Sequence, residues 1–133
     1  MDDERFAIGK RKREQVLGEE YVAKAFASVD AFNADFQRLL TEYCWGEVWG
    51  GSVLTDKQRS LNNLCLLAAL NRGHEFKIHC KGALGNGVTL EELRDTLVQI
   101  AIYAGIPAGV EAFRLAREVL VAEGIDPGPA TPS

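Results

Sequence analysis

The sequence predicts an all-α protein, a compact orthogonal array of about six to seven helices, on three observations. Apolar residues recur at helical spacing over most of the chain. No stretch sustains the period-2 alternation with β-branched enrichment that a strand requires. Glycines, prolines and capping residues cut the pattern into pieces of helical length. The 133 residues suit one domain with one core, expected over residues 1–125. Residues 126–133, which are proline-rich, are expected to be disordered or draped on a neighbour.

The elements follow in order. Residues 2–17 are mostly charged, good helix formers with Phe6, Ile8, Val16 and Leu17 as sparse apolar anchors, which reads as a peripheral arm ended by Gly18. Tyr21, Val22, Ala25 and Phe26 mark a second helix. Asp30 can cap a third, carrying Phe32, Phe36, Leu39, Leu40 and Tyr43. The run from Trp45 through Glu47 and Trp49 to Gly51 holds three glycines, and predicts a loop or helix end anchored by two indoles. Thr55 or Asp56 opens a helix whose second half, through Leu64, Leu66, Leu67 and Leu70, is apolar on every side and so is expected to be central. A shorter helix spans 75–84 before the Gly85-Asn86-Gly87 turn. Thr89 with Glu92 forms a capping box opening a helix striped by Leu93, Leu97, Ile100 and Ala101. Gly105 ends it, and Pro107 suits the first turn of the last helix, with Val110, Phe113, Leu115, Val119 and Leu120 as its apolar residues.

Composition narrows the function. With 47% hydrophobic and 26% charged residues the chain is an ordinary globule, and its net charge of −4 provides no field to attract a phosphate backbone, so no nucleic-acid partner is expected. No apolar run approaches the roughly 20 residues of a membrane span, and the charged N-terminus does not resemble a signal peptide. A cytoplasmic protein without a membrane partner is the expectation. Cys44, Cys65 and Cys80 are odd in number and contain no Cys-x-x-Cys, which reads as reduced core thiols with neither disulfide nor metal site.

Few residues are candidates for chemistry. Glu75 and His79 lie four positions apart on a predicted helix, with Arg72 three residues back near the same edge. A carboxylate beside an imidazole can fix its tautomer and hold it cationic for proton transfer, and the same spacing also describes a surface ion pair. Arg59 and Lys57 lie on the first turns of their helix, where Arg59 borders its apolar half. Such an arginine needs an acidic partner, for which Glu47 and Glu75 are candidates, or an anionic ligand. Glu47 between Trp45 and Trp49 would be desolvated by aromatic walls into a proton donor, unless the indoles are simply core or interface anchors. His74 is expected to be solvated.

The blocks Trp45 to Trp49, Arg59-Ser60-Leu61, Ala68 to Arg72, Glu75 to His79, Asn86 to Thr89 and Tyr103 to Ala108 keep an order and spacing that resemble the carboxymuconolactone decarboxylase family over about residues 5–124. The Trp-Gly-Glu-Val-Trp block looks like the lactone-decarboxylase branch. The resemblance implies the alkyl hydroperoxidase D-like fold, a homo-oligomer, trimeric or hexameric, with sites at subunit contacts, and no cofactor. That relative reduces peroxides through a Cys-x-x-Cys followed by a histidine; with His79 in the histidine's place, Arg72 and Glu75 stand where the cysteines would be, so the thiol chemistry has no nucleophile. The implied reaction is decarboxylation of a dianionic γ-carboxylated unsaturated lactone, in aromatic (protocatechuate) catabolism. On that reading His79 and Glu75 are catalytic with Glu47 as the alternative acid, and Arg59, Arg72, Trp45 and Trp49 bind substrate. The alternatives are a family member acting on another lactone or keto acid, and a non-catalytic oligomeric binding protein.

Overall fold

A computed structural model of the chain describes residues 2–131. It contains seven α-helices and one π-helix, and no strand among the described residues, so the all-α class holds. The helices are α1 (Asp3–Leu17), α2 (Glu19–Ala27), α3 (Ala34–Leu39), a π-helix (Leu40–Val48), α4 (Asp56–Ala69), α5 (Gly73–Gly85), α6 (Leu90–Ala104) and α7 (Ile106–Ala122). The chain divides into two compact units after Arg59, and each has its own apolar cluster.

In the N-terminal unit α1 starts at Asp2, whose carboxylate accepts from the Arg5 amide at 3.0 Å, and stops at Gly18, whose φ of 95° a side chain would resist. It is no peripheral arm. Its Gly9 lies so close to the π-helix that a Cβ there would sit 1.9 Å from the Thr41 carbonyl oxygen. A Cβ on Gly46 would in turn sit 2.6 Å from the Arg5 carbonyl oxygen. Two glycines therefore let these helices meet backbone to backbone, which a pattern built on apolar side chains does not reveal. Of the loop or helix end expected from Trp45 to Gly51, the structure has the helix end: the helix runs to Val48, wound in the wide π form from Leu40. The extra residue per turn brings Trp45 and Trp49 into parallel stacking, ring centroids 5.0 Å apart, and both are buried beside Val16. The irregular stretch is confined to 49–55.

The C-terminal unit packs Leu64, Phe76, Cys80, Ala83, Leu93, Leu97, Leu115 and Val119 into one cluster. The predicted capping box is present: the Thr89 hydroxyl accepts from the Glu92 amide at 3.1 Å while the Glu92 carboxylate accepts from the Thr89 amide at 2.9 Å. Pro107 occupies the first turn of α7 as expected. Gly109 of α7 lies against α6, where a Cβ would come within 2.3 Å of the Ala101 Cβ. Two expectations need correction. Leu66 on α4 and Leu70 just beyond it are exposed, so this stretch is not buried all round, and on α7 Val110 and Phe113 are exposed while Leu115, Val119 and Leu120 are buried as expected, with Ala112 and Ala116 beside them. Gly109 and Ala101 let α6 and α7 approach closely at that point. Beyond Gly124 the Ile125 amide donates to the Leu120 carbonyl and Pro127 lines a groove between α6 and α7; Pro132 and Ser133 lie outside the described residues.

Candidate active site

The strongest chemistry sits on α5. Asn71 adopts the left-handed conformation, φ 61°, which asparagine tolerates better than most residues, and so ends α4 and turns the chain into α5 at Gly73. Phe76, Cys80 and Ala83 take the core face of α5. Glu75 and His79, each one position earlier than a core residue, therefore fall along the margin of that face. Glu75 is exposed and His79 half-buried. The two are near enough for the carboxylate to favour the imidazolium, but the larger effect is burial, which pulls the His79 pKa below its ordinary value. The attraction that could hold the ring cationic is thus outweighed by burial, which favours the neutral imidazole. A neutral imidazole can donate one N–H to a developing oxyanion or accept a proton.

Arg72 precedes α5 and opens onto a cleft of about 260 Å³. Leu67, Phe76 and Leu115 supply apolar walls, with Pro107 and Glu111 at the α7 side. Neither Glu75 nor His79 lines this cleft, so the convergence expected of all three residues is only partial. Sequence reasoning missed Pro107 and Glu111 as neighbours of Arg72, because no local signal links positions more than thirty apart. Arg72 makes no ion pair among the described residues.

In the N-terminal unit Glu47 is exposed and pairs with Arg5 at 3.1 Å. The desolvation expected from its flanking indoles does not occur, since Trp45 and Trp49 turn inward, only 4% and 3% exposed, while Glu47 turns to solvent. That takes away the reason for a raised, proton-donating carboxyl, and gives the indoles a core role. Arg59 forms no ion pair among the described residues: Glu47 is taken by Arg5, and the Arg59 Nε is buried with no acceptor. Its guanidinium sits beside Gly51, where even a methyl group would come within 3.1 Å of Nη2. Of the two readings left open by the sequence, the ordinary salt bridge is the one without a partner.

The thiols divide by environment. Burial pushes Cys80 up to about 11, so the residue beside His79 is an inert thiol, whereas Cys44 is exposed rather than a core thiol. No group of His, Cys, Asp and Glu suited to hold a metal ion occurs among the described residues.

The fold is all-helical, with an imidazole and a carboxylate one turn apart on α5 and, among the described residues, two guanidinium groups, those of Arg59 and Arg72, that form no ion pair. The chain belongs to the carboxymuconolactone decarboxylase family, whose pattern matches residues 34–118. It is 37% identical over 126 residues to the 4-carboxymuconolactone decarboxylase of Acinetobacter baylyi, covering 95% of this chain and 94% of that protein. It is also 37% identical over 115 residues to a nitrosuccinic acid decarboxylase of Metarhizium robertsii, covering 86% of this chain and 80% of that protein.

Proposed function

We propose that this protein is a carboxy-lyase that converts 4-carboxymuconolactone to 3-oxoadipate enol lactone and carbon dioxide without a cofactor, in the cytoplasmic breakdown of aromatic compounds. The observation that carries the reading is the near full-length similarity to a decarboxylase of that lactone, combined with the half-buried His79 beside Glu75. The substrate carries two carboxylates. When the ring carboxylate leaves as carbon dioxide, the electron pair of the broken C–C bond moves through the ring alkene onto the lactone carbonyl oxygen. The dienolate that results takes one proton at the α-carbon, which shifts the double bond and completes the balance.

The neutral His79 is assigned to donate a hydrogen bond to that oxygen as its charge develops, a role in which a pKa below the usual histidine range is no handicap. Glu75 orients the ring. Arg72 and Arg59, each without an ionic partner, are assigned to the substrate carboxylates. Glu47 is the weaker candidate for the acid, given its exposure and its bond to Arg5. Phe32, Val53 and Tyr103 are 97%, 93% and 85% exposed, large apolar side chains that an isolated chain leaves in water, which supports a homo-oligomer, trimeric or hexameric. No helix is long and apolar enough to cross a membrane.

The second relative favours one alternative. A nitro group beside a departing carboxylate can hold the electron pair on oxygen just as a lactone carbonyl does, so nitrosuccinate would suit the same oxyanion donor and cations. Incubating the protein with each substrate and following substrate loss and carbon dioxide release separates these readings. Turnover of the lactone is expected, and His79→Ala should lower it by about a hundredfold or more with the helical circular dichroism unchanged. Turnover of the nitro compound alone would move the assignment to that substrate. Binding of both without turnover would make the protein a non-catalytic member of the family.

A further inference from the structure

Arg13 is an anomaly in the N-terminal unit. Only 5% exposed, it lies in the middle of α1 with a single hydrogen bond, from Nη1 to the neutral amide oxygen of Gln37 at 3.0 Å. Its Nε is buried without an acceptor. The guanidinium lies 5.8 Å from the centre of the Phe26 ring, and the Lys10 ammonium lies 5.8 Å from the same ring centre. One aromatic ring thus holds two cations from successive turns of α1. Neither forms an ion pair among the described residues, whereas nearby Lys12 and Arg38 are both matched with carboxylates.

The titratable groups that act on Arg13 are Tyr21 and Cys44, a phenol and a thiol, and burial raises the Cys44 pKa so that it stays protonated. No carboxylate among the described residues forms an ion pair or hydrogen bond with the guanidinium. A cation held out of water without a counter-charge is costly, and cation–π contact returns only part of that cost. The exposed Lys10 lies over the same ring, and the exposed Tyr21 and Cys44 are the titratable groups nearest in effect to the buried cation.

We propose that Arg13 and Lys10, set over Phe26, form a carboxylate-binding site whose acid comes from outside the chain. The planar fork of Arg13 offers its free edge to the carboxylate, Lys10 adds the second charge, and Phe26 with Phe6 against its edge forms the apolar floor, their ring centroids 5.8 Å apart. The carboxylate is either a free small acid or an Asp or Glu of a second copy, since the chain carries 19 acidic residues. None of these residues belongs to the proposed decarboxylation machinery, so the site stands or falls separately from that reading.

Thermal unfolding of the full chain in succinate, phosphate or chloride at constant ionic strength tests the free-acid arm, and light scattering on a size-exclusion column across a hundredfold protein dilution tests the second-copy arm. Arg13→Met keeps the buried length without the charge. Succinate is expected to raise the wild-type unfolding midpoint by about 3 °C or more over chloride and to have no such effect on Arg13→Met. If the acid belongs to a second copy, Arg13→Met instead dissociates at concentrations where the wild type stays assembled. Should Arg13→Met fail to fold, Lys10→Met and Arg13→Lys, which keep one charge or lose the fork, must weaken either response at least threefold. Equal responses of wild type and variants in both arms, or stabilisation by phosphate but not succinate, would overturn the proposal.

Discussion

Replacing Glu75 with glutamine tests the electrostatics of the proposed site most directly. In the wild type burial lowers the His79 pKa and Glu75 partly opposes it. Glu75 is exposed, so its attraction for the imidazolium is weakened by solvent but keeps its sign. Glutamine keeps the shape and loses the charge, so the His79 pKa should fall further. A histidine at its ordinary value of about 6.5 is already roughly three-quarters neutral at pH 7, and His79 is more so. The acid limb of kcat/KM should therefore follow His79 and move to lower pH in Glu75→Gln. The ring-proton signal of His79, followed by NMR from pH 4 to 8, gives the titration directly, with kcat/KM measured alongside. A wild-type midpoint above 6.5, or a midpoint that rises in Glu75→Gln, would refute the reasoning. Stability carries the same sign. Because the folded state takes up the His79 proton less readily than the unfolded chain, this group's contribution is intact above about pH 6.5 and is lost as the pH falls from there toward the lower folded value.

Three other outcomes follow from geometry. Arg59→Met should raise KM for the dianionic substrate tenfold or more while costing little stability in urea, since it removes a cation that no carboxylate of the described residues matches. Gly9→Ala should destabilise the protein by about 3 kcal/mol or more in urea melts, because the new methyl meets the Thr41 carbonyl and the Gly46 amide, and backbone atoms cannot turn aside. Thr89→Ala should cost about 1 kcal/mol by removing the oxygen that accepts from the Glu92 amide, with kcat unchanged.

The sequence by itself determined the all-α class, the boundaries at Gly18, Thr89 and Gly105, and the placement of Glu75 and His79 one turn apart. These follow from local rules of capping, glycine conformation and helical period, which act within four residues. Family membership was legible for a related reason, as ordered blocks along the chain. Only the tertiary structure decided what surrounds each group. The period could not tell that residues 40–48 wind as a π-helix, that Gly9 and Gly46 serve backbone contact, or that Trp45 and Trp49 face inward while Glu47 turns to Arg5. Nor could it give the sign of the His79 shift, since desolvation depends on what packs over the ring, whereas the attraction of Glu75 is written in the spacing. Arg13 shows the same division most sharply. In the sequence it is one of many charges on α1, and it becomes a buried cation in search of an acid only when Gln37 and Phe26 close around it.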